Sequence, residues 1–174
     1  MNAREVIWAA TLALTLYAGW YDWRTRRIPN WLTVPALLAG LVLRYMIGGW
    51  TGIAMGLEGA GLALLVLLPL VLLRALGAGD WKLMGAVGAL LGPRMVLFVL
   101  LASIFVSGLM AIVMMIQTKR VKATLRNLVV LVHGLLSFGL RTHPEISLEN
   151  PGLLKLPFGA AVALGTAICF FAAK

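Results

Sequence analysis

Long apolar runs separated by short basic segments occupy most of this chain of 174 residues, and no other feature constrains its fold as much. Hydrophobic residues make up 61% of the sequence, and the mean hydropathy is +0.97. A soluble domain is about half apolar, so a soluble fold of this length could not bury so many apolar side chains. Lipid is the simplest solvent for them. The sequence therefore predicts one membrane-embedded domain over residues 1–174.

The length of the apolar runs predicts an all-α, polytopic protein with about six transmembrane helices. A helix needs about 20 residues to cross a hydrocarbon core of about 30 Å. The fourth run is too short to cross alone at about 1.5 Å per residue. Either its helix begins below the membrane surface, inside the protein, or the bilayer is thinned there. The predicted spans are Val6–Tyr21, Trp31–Ile47, Ile53–Leu73, Leu83–Leu91, Met95–Ile116 and Pro157–Ala172.

A basic loop of about residues 118–155 separates the fifth span from the sixth. It contains an apolar run, residues 128–140, flanked by Arg126 and Arg141. This run is short for a span, and its length favours an interfacial or re-entrant helix over a crossing.

The basic residues predict the orientation in the membrane. The loops after spans one, three and five hold eleven lysines and arginines, and the opposite side holds four. The side richer in Lys and Arg is normally cytoplasmic, which places the N-terminus outside a prokaryotic cytoplasmic membrane. The net charge of +9 forms no continuous basic face, so anionic lipid head groups, and not nucleic acid, are the predicted partners.

Asp22 and Asp80 are the only aspartates in the chain, and each lies at the end of an apolar run. Two predicted spans separate them, so both are expected on the same side of the membrane. Two neighbouring carboxyl groups titrate as a unit and share a proton. The ionised member can take a proton from water while the neutral member polarises a carbonyl, which is aspartic peptidase chemistry without metal or cofactor. The alternative is that each is an ordinary charged cap at a membrane boundary.

Three motifs surround these acids in a familiar order. Tyr21–Arg24 with Arg27–Asn30 resembles the first aspartate motif of type IV prepilin peptidases, and Gly77–Lys82 resembles their G-x-G-D-x-K motif. Lys155–Gly159, followed by Ala163–Gly165, resembles the P-[FY]-G motif that opens their last helix. The resemblance covers nearly the whole chain and is best with the small branch that serves tight-adherence pili, close to archaeal preflagellin peptidases.

The resemblance implies a six-helix fold with Asp22 and Asp80 as the catalytic pair at the cytoplasmic face. It implies prepilin-like substrates, cut after a glycine between a short basic leader and a hydrophobic helix. Lys82 could tune Asp80 or stabilise an anionic intermediate, or it could be only a topology charge. Asn30 is expected to cap the second helix. The residues expected to shape the site or bind substrate are Gly77, Gly79, Lys82, Arg27, Pro29, Asn30, Pro157, Phe158 and Gly159.

One departure from the family concerns the larger, bifunctional members. They carry a cytoplasmic domain with paired C-x-x-C motifs, and they also methylate the new N-terminus. Here Cys169 is the single cysteine and only a short loop joins Asp22 to Trp31. We therefore expect no zinc, and the resemblance does not extend to methylation.

Two other functions fit the sequence. A presenilin-like protease would use the same pair of acids but would cut inside an apolar helix. A membrane carrier or pilus-assembly scaffold would use the acids to move protons or to pair with arginines, and it would show no proteolysis.

Overall fold

The structure of the protein, a computed structural model, describes residues 2–118, Val129 and residues 156–173. The described part is all-α, as predicted. The basic stretch at 119–126 and the apolar run at 128–140 lie outside the described residues, apart from Val129. The helices are α1 (Ala3–Thr25), α2 (Asn30–Leu72), α3 (Ala78–Leu91), α4 (Pro93–Gln117) and α5 (Phe158–Ala172).

Helix α2 reverses direction at Gly49. This residue has φ 58° and ψ −141°, a conformation that glycine adopts without the steric cost of a Cβ. A Cβ added to Gly56 would lie 2.9 Å from the Leu41 side chain, whereas one straight helix would separate these residues by about 22 Å. The arms 30–48 and 50–72 therefore pack side by side. The described residues form five helices and not six, because the second and third predicted spans are the two arms of α2.

Helix α3 is short and lies inside the protein. Its 14 residues give a length of about 21 Å, and every residue from 83 to 91 is buried. Two hydrogen bonds tie it to α2: Arg44 Nε of α2 donates to the Leu90 carbonyl at 2.7 Å, and Trp81 Nε1 of α3 donates to the Leu64 carbonyl at 2.8 Å. The short helix is thus covered by protein, as its length requires.

Small residues let the helices approach closely. Where α2 crosses α3, a Cβ on Gly59 would collide with the Gly88 carbonyl oxygen, and a Cβ on Gly88 would collide with the Gly59 carbonyl oxygen. Helix α5 packs against both α1 and α4. At the first of these contacts, a Cβ on Gly19 would lie 3.0 Å from the Gly159 carbonyl oxygen. Close backbone packing through small residues is typical of helices in membranes.

Large apolar side chains cover the outer surface. On α4, Leu101, Phe105 and Ile116 are each more than 60% exposed. Two helices, α2 and α4, are long and apolar enough to cross a membrane by length and composition, and α5 is shorter but also apolar. An apolar surface of this extent is rare on soluble monomers and is consistent with a membrane protein.

Candidate active site

The two aspartates line one cavity of about 320 Å³. It lies where the end of α1, the loop to α2, the start of α3 and the chain just before α5 meet. The reversal at Gly49 brings the start of α3 back to the end of the molecule where α1 finishes. We call it the Asp22–Asp80 cavity; its lining residues are Asp22, Arg26, Arg27, Ile28, Gly77, Ala78, Gly79, Asp80 and Leu156.

Asp22 lies in the last turns of α1 and is only 5% exposed. Its Oδ2 accepts a hydrogen bond of 2.9 Å from the backbone N–H of Gly159, at the start of α5. A Cβ on Gly159 would lie 3.0 Å from Asp22 Cβ and 3.1 Å from its Oδ2. The absence of a side chain at Gly159 is therefore what lets α5 present its N–H to this carboxylate.

Asp80 lies in the first turn of α3. The backbone N–H of Gly77 donates to its carboxyl group, and a Cβ on Gly77 would lie 2.9 Å from Asp80 Oδ2. Its Oδ1 is buried and has no hydrogen-bond partner among the described residues. A buried carboxyl oxygen without a donor favours the protonated form, because the charge is left uncompensated.

The electrostatics of the two acids differ. Both lie just beyond the predicted spans Val6–Tyr21 and Leu83–Leu91. Burial and the charge of Asp22 raise the pKa of Asp80 to about 7, against the lowering effect of the Gly77 N–H. Burial also raises the pKa of Asp22, but the Gly159 hydrogen bond and the positive charge of Arg26 oppose that rise. Asp22 is thus the better anion, and Asp80 is the better holder of a proton near neutral pH.

Ile28 is a wall of the cavity that the sequence analysis did not single out. It is 8% exposed and lies between α3 and α5. A Cβ on Gly79 would lie 2.7 Å from the Ile28 carbonyl oxygen, and a Cβ on Gly159 would lie 3.0 Å from Ile28 Cδ1. A single buried isoleucine in a loop has no sequence signature that separates it from ordinary core.

The other predicted residues fall into two groups. Gly77, Gly79 and Arg27 line the cavity with the two acids. Lys82 does not: its Nζ donates to Asn30 Oδ1 at 3.0 Å. Residues two apart on a helix do not face each other, which separates Lys82 from Asp80.

The prediction that Asn30 caps the second helix is wrong. Pro29 occupies the N-cap position, with extended backbone at φ −76° and ψ 147°, and Asn30 is the first helical residue with its side chain turned to Lys82. The fixed φ of proline suits the chain entering a helix, but its side chain has no acceptor for the first free N–H groups, so the helix starts without a side-chain cap.

The third motif opens α5. Pro157 is the N-cap residue of this helix, and Phe158, its first residue, packs partly buried against the core. Neither lines the Asp22–Asp80 cavity; of this motif only Gly159 touches an acid directly. The lining residues Arg26, Ala78 and Leu156, like Ile28, were not predicted as site residues.

The described residues contain no cluster of three or more histidine, cysteine, aspartate or glutamate side chains that could hold a metal ion.

A sequence model of the type IV leader peptidase family matches residues 9–112, more than half of the chain. The chain belongs to the type IV leader peptidase family. The matched range includes both Asp22 and Asp80 and ends before Gly159. Comparisons with curated proteins and with solved structures gave no match. Membership identifies the protein as a leader peptidase-like protease, and the family's substrates are prepilin-like proteins.

Proposed function

We propose that this member of the leader peptidase family is an aspartic endopeptidase whose catalytic pair is Asp22 and Asp80. One observation carries the proposal: the chain's only two aspartates, on different helices, line one cavity. The charge of Asp22 contributes to a pKa of about 7 for Asp80, so the two groups interact. A pair that holds one proton near neutral pH is what this chemistry requires.

We propose a separate role for each acid, based on its surroundings. Ionised Asp22 takes a proton from water, whose oxygen bonds to the carbon of the scissile carbonyl. Protonated Asp80 gives its proton to the carbonyl oxygen, which becomes a hydroxyl. When the C–N bond breaks, the amine leaves with the proton held by Asp22, and Asp80 recovers a proton from the collapsing intermediate. Both acids finish in their starting states, so no cofactor is consumed.

We also propose a membrane arrangement for this fold. In the proposed topology α1, the two arms of α2, α3, α4 and α5 give six segments, with the N-terminus outside and the cavity at the cytoplasmic face. Arg24, Arg26 and Arg27 lie at the cavity end of the molecule, where a cytoplasmic surface would have them. Exposed Trp20 and Trp31 lie at that end as well, as an aromatic belt at a membrane boundary would.

The proposed substrate class comes from the family, and the lining of the cavity is compatible with it. We propose prepilin-like precursors, cut after a glycine between the basic leader and the apolar helix. Arg26 and Arg27 line the cavity and would repel a basic leader, so the uncharged junction is the part that enters. Gly77 and Gly79 line the cavity beside Asp80 without adding side chains to it. The apolar helix of the substrate would stay in lipid throughout.

Replacing each acid by its amide tests the proposal. Asp22→Asn and Asp80→Asn proteins are co-expressed with a prepilin-like substrate, and mass spectrometry reads the substrate's N-terminus. Glu58→Gln is the matched control, because Glu58 is an exposed acid on α2 far along the chain from either motif. We expect cleavage by the parent and control proteins and none by the two amide variants. Continued processing by either amide variant, or a cut deep inside the apolar helix, would contradict the proposal.

A further inference from the structure

Ile28 joins the two segments that support the catalytic acids. Its carbonyl oxygen and Cβ contact the position of Gly79, the residue before Asp80, at 2.7 and 3.1 Å from an added Cβ. Its Cδ1 contacts the position of Gly159, whose N–H binds Asp22, at 3.0 Å from an added Cβ. Ile28 therefore packs beside both acids: its carbonyl oxygen and Cβ contact the residue before Asp80, and its Cδ1 contacts the residue whose N–H binds Asp22.

The loop that carries Ile28 is fixed on both sides. Before it, Arg26 adopts φ 55° and its N–H donates to the Asp22 carbonyl oxygen at 2.8 Å. Thr25 Oγ1 donates to the Arg27 carbonyl oxygen at 2.9 Å. After it, Pro29 fixes the backbone as the N-cap of α2. A side chain on so constrained a loop can hold its neighbours at a set distance.

We propose that Ile28 is a positioning residue for the catalytic pair: wedged between α3 and α5, its side chain sets the separation of Asp22 and Asp80 and excludes water from the floor of their cavity. That the pair is catalytic rests on the proposed function. The packing of Ile28 between α3 and α5 does not depend on it. The coupling between two carboxyl groups depends steeply on their distance and on the water between them. Shortening the side chain at position 28 removes the Cδ1 contact to Gly159 and opens space for water, while the contact of the Ile28 carbonyl oxygen and Cβ with Gly79 stays in place.

Few other charged groups could alter the titration of the two acids. Within residues 2–118 and 156–173, the charged groups facing the pair are the acids themselves, from α1 and α3, and Arg26 and Arg27 from the loop. The described part of α5 contributes no charged side chain, and Lys82 beside α2 is bound to Asn30 outside the cavity. A change in titration caused by a neutral substitution at Ile28 would therefore report distance and hydration, because no charge is added or removed.

The test uses the fact that the chain has only two aspartates. Full-length protein labelled with ¹³C at the aspartate carboxyl groups gives two signals, whose titration is followed by NMR in Ile28→Ala, Ile28→Leu and the parent. We expect Ile28→Ala to lower the titration midpoint of Asp80 by about one pH unit, because water enters a site whose burial had raised it. Ile28→Leu keeps the volume and should restore most of the parent behaviour.

Ile7→Ala is the matched control, since Ile7 is also 8% exposed but lies at the opposite end of α1. It should cost similar stability and leave the aspartate signals unchanged. If Ile28→Ala does not fold, Ile28→Val removes only the Cδ1 atom that contacts Gly159, and a smaller shift in the same direction is expected. An Asp80 midpoint identical in the parent and in a folded Ile28 variant would overturn the inference. Because this readout needs no cleavage, it is separate from the fate of the proposed peptidase activity.

Discussion

Gly159→Ala is the substitution for which the structure makes its sharpest prediction. The added methyl group would lie 3.0 Å from Asp22 Cβ, 3.1 Å from Asp22 Oδ2 and 3.0 Å from Ile28 Cδ1. These distances are shorter than ordinary contacts, and the neighbours are side-chain atoms of the buried residues Asp22 and Ile28. We expect the Asp22 carboxylate and the start of α5 to move apart, at the expense of the 2.9 Å hydrogen bond between them.

The magnitude follows from the bond that is lost. A hydrogen bond to a charged group contributes about 1.5–3 kcal/mol. If that stabilisation is needed for Asp22 to act as the base, the loss corresponds to a fall in kcat/KM of about 10- to 150-fold. The sign of the pH effect is also fixed. The Gly159 N–H lowers the pKa of Asp22, so its loss raises that pKa, and the acidic limb of the pH–rate profile moves to higher pH.

The assay is the initial rate of substrate cleavage in detergent or liposomes from pH 4 to pH 9, for the parent and Gly159→Ala. Gly108→Ala is the control, because a Cβ at Gly108 meets nothing within 4 Å. It should leave both the rate and the profile unchanged. A folded Gly159→Ala protein with parental activity and an unmoved acidic limb would refute the role given to this hydrogen bond.

Three further predictions follow from the same contacts. Parent activity should decline as the pH rises through about 7, because Asp80 then loses the proton it donates. The basic limb of the pH–rate profile measures this decline. A profile that stays flat to pH 9 would contradict the prediction. Gly59→Ala should sharply reduce the yield of folded protein in size-exclusion chromatography. Gly61→Ala, with open space at its Cβ, should not reduce it. Equal yields would contradict the close crossing of α2 and α3. Lys82→Met should raise KM or lower kcat by several-fold without moving the pH profile, since its partner is Asn30; a shifted profile would show direct coupling to Asp80.

Much of the fold was predictable because lipid imposes simple rules on length and polarity. The helix boundaries of α1, α4 and α5 differ by only a few residues from the predicted spans. Because two predicted spans separate them, Asp22 and Asp80 were predicted to lie at the same end of the molecule. In the structure they line one cavity. Their catalytic role stays a prediction until the amide variants are measured.

The remaining features depend on packing that a sequence does not display. The chain reversal needs only one glycine with positive φ, and nothing distinguishes Gly49 from the neighbouring Gly48 by composition. The capping role expected of Asn30 was wrong because Pro29 takes the cap position and Lys82 takes the Asn30 side chain. Ile28 lies within the Arg27–Asn30 motif, but it was not predicted as a site residue, because its contacts with the positions of Gly79 and Gly159 appear only in the folded chain.

The most direct test of the account is whether the protonation of one aspartate depends on the other. Carboxyl ¹³C titrations of the parent and of Asp22→Asn provide it. The account predicts a parent Asp80 midpoint of about 7 that falls when Asp22 becomes a neutral amide, since a nearby negative charge has been removed. Two independent parent titrations near the ordinary aspartate pKa, or an Asp80 midpoint unchanged in Asp22→Asn, would contradict the claim that these acids form one site.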